Sequence, residues 1–143
     1  PSQTETGYYY AFNKLYDGST GDPCSKLNTA YYGTSWRTPT KNELEKLARC
    51  TDKVYTNGGM WFMNNRLGLF LKAAGMRPET GPGLEGTGSG TSGVYLTSTL
   101  GNRKNTCYAL DFGTTYIVVT ETGAWNALQI NGYSVRCVKG TKQ

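Results

Sequence analysis

The sequence contains no histidine in 143 residues. Without imidazole, neither a Ser-His-Asp nor a Cys-His nucleophilic arrangement can be built, and no histidine metal ligand exists. Long apolar runs are missing too, so direct membrane insertion is not expected. No segment has the form of a signal peptide, and position 1 is Pro1 and not an initiator methionine, which makes the chain read as a trimmed part of a larger exported protein. Cysteine occurs four times, at Cys24, Cys50, Cys107 and Cys137, with no Cys-x-x-Cys pair among them. Zinc held by four cysteines normally uses such pairs, whereas wide spacing and an even count fit disulfides and an oxidising compartment. The net charge of +5 is modest and its basic residues are scattered from Lys14 to Lys142. No basic stripe interleaved with aromatics marks a nucleic-acid groove. A solubilising surface is the plain reading of this charge, and a preference for acidic ligands is permitted by it.

What the chain has instead is 19 glycines and 11 tyrosines, a composition that favours short strands and turns. Tyrosines serve such strands, and they also serve contact surfaces, because a phenol offers a large area with a polar tip. Residues 7–12 (GYYYAF) suit a first strand. Asp22 is placed to cap, and Pro23 to open, a short helix whose face carries Cys24, Leu27 and Tyr31 at spacings of three and four. Beyond 34–39 (TSWRTP), Thr40-Lys41-Asn42-Glu43 forms a capping box that predicts a second helix, with Leu44, Leu47 and Ala48 as its buried stripe. From Asn57 onward strands and loops take over. Residues 67–74 (LGLFLKAA) are read as a strand because glycines interrupt them at Gly68 and Gly75. The stretch 80–93 is a glycine-rich surface loop without the Lys-Ser/Thr ending of a phosphate cradle. Four strands are predicted at 94–99, 107–112, 116–120 and 133–138, the second of them placing Tyr108, Leu110 and Phe112 on one face and Ala109 and Asp111 on the other. Trp36 and Trp61 are assigned to the core. With no repeat, linker or second domain visible, residues 1–143 read as a single domain of the α+β class, two helices early and an antiparallel sheet late.

Several of these segments together resemble one family. Asp22-Pro23-Cys24, then Trp36-Arg37-Thr38-Pro39-Thr40 leading into Glu43-Leu44, is similar to the opening signature of the FISUMP family (the Fibrobacter succinogenes major paralogous domain). Leu71-Lys72-Ala73-Ala74-Gly75-Met76-Arg77 resembles its middle strand. Tyr95 to Thr99, Tyr108 to Phe112, and Asn131-Gly132-Tyr133-Ser134-Val135-Arg136-Cys137 resemble its C-terminal motifs. The resemblance implies a C-type lectin-like fold, with paired terminal strands, two helices and a second sheet that presents ligand loops. Variable proteins of diversity-generating retroelements, surface adhesin ends and pilus-tip subunits are relatives of that kind. It also implies a bridge from Cys24 to Cys137, leaving Cys50 and Cys107 either paired, the favoured reading, or as buried thiols. The Glu-Pro-Asn, Gln-Pro-Asp and Trp-Asn-Asp triplets of calcium-dependent lectins are missing. Trp125-Asn126 is followed by Ala127, so a calcium-mediated sugar site is not expected, and no metal or other cofactor is assigned.

The functional expectation is a calcium-independent recognition module at an extracellular or bacterial cell-surface location, not an enzyme. Its partner would be a protein or glycan ligand on a host or neighbouring cell. Asn102, Arg103, Asn105, Trp125, Asn126 and Gln129 are the expected ligand-facing residues, with Tyr95, Tyr108 and Tyr116 as platforms beside them and Trp125 as the anchor. The alternative is a structural subunit of a surface assembly with no ligand of its own. A formylglycine-generating-like or glycosidase activity ranks below both, since Glu43 and Glu45 belong to a capped helix and Asp111 and Glu121 show no evident partner.

Overall fold

The structure, a computed structural model, describes residues 20–64, 67–76, 88–123 and 132–143. It opens on Asp22, whose Oδ1 accepts the Cys24 N–H (2.9 Å) and so starts a 3-10 turn at Pro23–Leu27 (η1). The longer helix expected through Tyr31 does not form. Asn28 caps the turn and uses its Oδ1 to accept the Trp36 N–H (2.9 Å), a local side-chain bond that competes with helix continuation. Only Cys24 is buried in that turn, and Tyr31 is 87% exposed, so no apolar stripe held a second turn down. The chain reverses through Gly33 (φ 83) and Ser35 (φ 69) into β1, Trp36–Arg37.

The capping box at Thr40 behaves as its sequence predicts. The Thr40 N–H donates to Glu43 Oε1 (2.9 Å), the Glu43 N–H donates to Thr40 Oγ1 (3.3 Å), and α1 runs from Lys41 to Ala48 with Leu44 buried. Next comes a meander of β2 (Lys53–Thr56), β3 (Gly59–Asn64) and β4 (Leu67–Lys72) in the order β2-β3-β4. Asn57 (φ 52) and Gly58 (φ 73) form its first turn, the left-handed pair that matches the twist of a two-residue hairpin. A second antiparallel sheet holds β5 (Ser92–Leu100), β6 (Thr106–Gly113) and β7 (Ile117–Gly123) in that order. The strand expected over 133–138 is broken. Its first part lies parallel beside β5, Ser134 accepting the Leu96 N–H (2.9 Å) and donating to Val94 (3.0 Å). Its end is β8, Val138–Lys139, which pairs with β1.

The two-helix α+β, C-type lectin-like architecture is therefore not the one formed. The described residues build one α-helix, a 3-10 turn and three small antiparallel sheets, a mostly β arrangement. The first helix stops after one turn, and the strand expected within 67–74 forms as β4 but joins β2 and β3 in a three-stranded sheet of its own.

Strand alternation splits the core in two. Leu110 and Phe112 point to the face shared with Tyr95, Leu44, Met60, Phe62 and Leu71. Cys107 and Leu96 point to the other face, where Tyr133 covers them. Gly93 lies opposite Phe112, and a Cβ there would meet the Phe112 ring at 2.4 Å, so the ring occupies the space the glycine leaves. Burying each such side chain contributes about 1.5–3 kcal/mol. Trp36 and Trp61 are only half-buried, contrary to a core assignment. The Trp36 indole N–H donates to the Tyr32 carbonyl (2.9 Å), while Trp61 packs on Phe70 along the outer side of the β2–β4 sheet.

Cys24 and Cys137 are bridged, 113 residues apart in sequence. Closing so long a loop restricts the unfolded chain by about 4–5 kcal/mol in chain-entropy terms. Cys50 and Cys107 do not pair. Cys50 packs against the Leu44 side of the core and Cys107 lies within the Tyr133 side, so the β5–β7 sheet stands between them. Burial pushes the Cys107 thiol up to about 12.

Arg37 ties these parts together. It donates to both Glu43 carboxylate oxygens (2.6 and 2.8 Å) and to the carbonyls of Gly140 (2.7 Å) and Thr141 (2.7 Å). Arg37, then Thr40, hold the Glu43 carboxyl down at about 2, from an ordinary 4.5. A carboxylate so depressed stabilises the fold above its unfolded value, and the contribution is lost as the pH falls from about 4.5 to about 2. Glu43→Gln is expected to cost about 1.5–3 kcal/mol at neutral pH, measured by thermal or urea unfolding, and to flatten the acid limb of the stability profile. An acid limb unchanged in the variant counts against the pair. Thiol titration of unfolded, unreduced protein should find the two cysteines Cys50 and Cys107. In the folded protein, Cys50 should be alkylated well before Cys107.

Candidate functional site

The β5–β6 connection carries three of the expected ligand residues, Asn102, Arg103 and Asn105, all exposed. Its backbone is fastened from below by Glu121 on β7. Glu121 Oε1 accepts the Asn102 N–H (2.9 Å), and Oε2 accepts the Arg103 N–H (3.2 Å), the Arg103 Nε–H (2.9 Å) and the Thr106 hydroxyl (3.0 Å). Arg103, followed by the Asn102 amide, holds the Glu121 carboxyl down at about 2. The sequence shows no partner for Glu121, because its partners come from a loop about eighteen residues earlier that only the sheet brings near. Asn105 sits at φ 59, a left-handed position that asparagine tolerates better than most residues.

Tyr108 lies opposite Glu121 across the sheet, so it shares that face. The Asn102 side-chain amide donates to the Tyr108 hydroxyl (3.1 Å), and Lys41 Nζ stands 4.1 Å from the ring centroid. Lys41 is the first residue of α1, and no sequence signal singled it out; the helix start is stitched to β5 when the Lys41 N–H donates to Thr99 Oγ1 (3.0 Å). Asn102, Arg103, Asn105 and Tyr108 thus share one end of the sheet.

Two expected platforms fall elsewhere. Tyr95 is a core residue, 7% exposed, its hydroxyl donating to the Lys72 carbonyl (2.9 Å) and its ring stacked on Phe112. A position alternating inward on β5 cannot face a ligand. Tyr116 is exposed but sits at the opposite end of the sheet, in the β6–β7 turn, with its hydroxyl on Asp111 Oδ1 (2.9 Å). Asp111, also unpartnered by sequence, is accounted for by this contact. Trp125, Asn126 and Gln129 lie outside the described residues.

A cavity of about 340 Å³, not anticipated from sequence, opens beside this end. Leu96, Ser98 and Leu100 from the irregular end of β5 line it, together with Asp22, Pro23 and Lys142. Its size is that of a small-ligand pocket. Both signs of charge border an apolar floor, and Leu100 is 58% exposed. Asp22 is also structural here, since Oδ1 accepts the Thr38 hydroxyl (2.7 Å) and Oδ2 the Thr38 N–H (2.9 Å). The arrangement can hold a polar ligand by hydrogen bonds, charge and limited apolar contact.

Removing the Glu121 charge should free the loop without disturbing the core. In Glu121→Gln, the Asn102 and Arg103 amides are expected to exchange hydrogen roughly tenfold faster or more while Leu110 is unchanged. Unchanged loop protection would mean that the carboxylate does not hold the loop.

No protein-family model, no curated protein and no solved structure matches this chain.

Proposed function

We propose that this chain is an extracytoplasmic recognition domain whose ligand, a protein or a glycan on another cell surface, docks at the β5–β6 end of the second sheet. The observation that carries the reading is the contrast within one loop. Its backbone is pinned by the Asn102 and Arg103 N–H groups on Glu121, and the Arg103 Nε–H is held there too, yet the Asn102, Arg103 and Asn105 side chains remain exposed. Preordering a loop removes much of the entropy cost of binding. The adjoining cavity supplies a recess for one ligand group, with Lys142 available to an anionic one. Trp125, Asn126 and Gln129 belong to the proposal as further ligand residues.

The Cys24–Cys137 bridge supports an exported location, because disulfides persist in oxidising compartments. No helix among the described residues is long and apolar enough to cross a membrane. Attachment to a bacterial surface, as part of an adhesin or pilus, is the specific form we propose. The resemblance of the ordered motifs from Asp22 to Cys137 to the FISUMP family supports this reading, without the lectin-like architecture that the resemblance implied.

The second reading, a structural subunit, draws on Val54 and Met63, which are exposed on the same outer sheet face as Trp61. A glycan array combined with binding to host-matrix proteins separates the two. Under the recognition reading a ligand is found, and Arg103→Ala and Lys142→Ala each weaken it by roughly tenfold, the loss of a well-placed charged contact, with thermal unfolding retained. A ligand bound equally by both variants would displace the site. No ligand together with robust self-assembly would favour the structural subunit.

A further inference from the structure

β7 is the last strand of its sheet, and among the described residues nothing pairs with its outer side. Which groups it presents follows from the hairpin. The Gly113 N–H donates to the Tyr116 carbonyl (2.9 Å), so Gly113 and Tyr116 form a hydrogen-bonded pair. Antiparallel pairs alternate between bonded and non-bonded, which turns the N–H and C=O groups of Val118, Thr120 and Thr122 toward β6. Those of Ile117, Val119 and Glu121 point away from the sheet.

Edge strands are normally blunted by lysine, proline, a bulge or a covering element. β7 reads Ile-Val-Val-Thr-Glu-Thr-Gly, without lysine or proline, and its register against β6 is continuous from Thr106 to Phe112. Its one charge, Glu121, is consumed by Arg103. Beside it, Val118 is 46% exposed and Tyr116 48% exposed, and both alternate onto the sheet face opposite Phe112. Open backbone donors and acceptors in this spacing specify an extended strand as partner.

We infer that β7 pairs antiparallel with β7 of a second copy of this chain, across a two-fold axis at Val119, joining two three-stranded sheets into one of six. The register is self-complementary. Val119 meets its own counterpart as a hydrogen-bonded pair, and so does Ile117 with the partner's Glu121, as the outward groups require. Val118 then stands opposite the partner's Thr120, and Tyr116 opposite the partner's Thr122, covering the exposed apolar side chains. An axis at Glu121 would set two carboxylates directly against each other and is disfavoured. Within one copy, α1 packs over β6 and β7 on the other face. Its exposed end carries Lys46 and Arg49, with Glu45 paired to Lys41 and Arg49 of the same helix, so the self-pairing is carried by the strands and not by charge between the helices.

The test is sedimentation velocity on the full, disulfide-intact chain over a concentration series, with hydrogen exchange in parallel. The expected result is a concentration-dependent dimer in which the Val119 and Glu121 amides become protected as dimer accumulates. Val118→Lys with Thr120→Lys places lysine opposite lysine twice in this register and should raise the dimer dissociation constant by roughly tenfold or more. Thr120→Lys alone, at an exposed site, should give a smaller increase in the same direction. A wild-type chain that stays monomeric into the high micromolar range overturns the inference. So does a dimer that both lysine variants leave intact, or one in which the Val119 and Glu121 amides exchange as freely as in the monomer.

Discussion

The Arg37–Glu43 pair is the contact on which the remaining elements depend. α1 has eight residues, too few to be a stable helix alone, and β1 and β8 have two residues each, too few to be a stable sheet. One guanidinium joins them, with two donors on the helix carboxylate and two on carbonyls just beyond β8. The two side chains are mostly hidden from solvent, 11% and 18% exposed. Taking the charges out of water is costly, and the cost is met because the fork finds acceptors on every side. Lysine could supply the charge but not the planar geometry.

From that joint the order spreads outward to the recognition end. Glu43 also closes the capping box, which fixes where α1 begins, and the Lys41 amide and the Pro39 carbonyl both bond to the end of β5, at Thr99 and Ser98. Glu121 repeats the device on a smaller scale. A carboxylate with several donors again holds a segment that has no regular structure of its own. The two ion pairs differ in their cations: Glu121 is as well covered as Glu43, but Arg103 is 72% exposed, so salt reaches that pair, whereas Arg37 is 11% exposed.

Local signals in the sequence became structure where a buried face was there to receive them, as at α1 and β6, whereas contacts between distant segments left no local mark. Thr40 and Glu43 announced α1, and the alternation of Tyr108, Leu110 and Phe112 announced β6, because each is a rule about near neighbours. Asn57-Gly58 is an equally local hairpin signal, and β2 and β3 flank it. Cys24, Leu27 and Tyr31 satisfied helical spacing, but nothing in the sequence revealed that no surface waited to bury Tyr31. Tyr95 was indistinguishable from a surface tyrosine until β5 was set against Phe112. The partners of Glu121 and the cavity beside Leu100 depend on segments far apart in the chain, so their chemistry became visible only once the sheets were assembled.

The Cys24–Cys137 bridge has a mechanical side. Cys24 sits at the first turn, Cys137 immediately before the last strand, and their Cα atoms are 5.5 Å apart. Tension applied along the chain from outside these two positions passes from one cysteine to the other through covalent bonds. The intervening residues, including both larger sheets, α1 and the β5–β6 end, stand outside the load path. A pull that peels β8 from β1 would draw off Lys142 and the Gly140 and Thr141 carbonyls that Arg37 holds. The covalently closed part, with its 102–105 loop on Glu121, would stay unstretched.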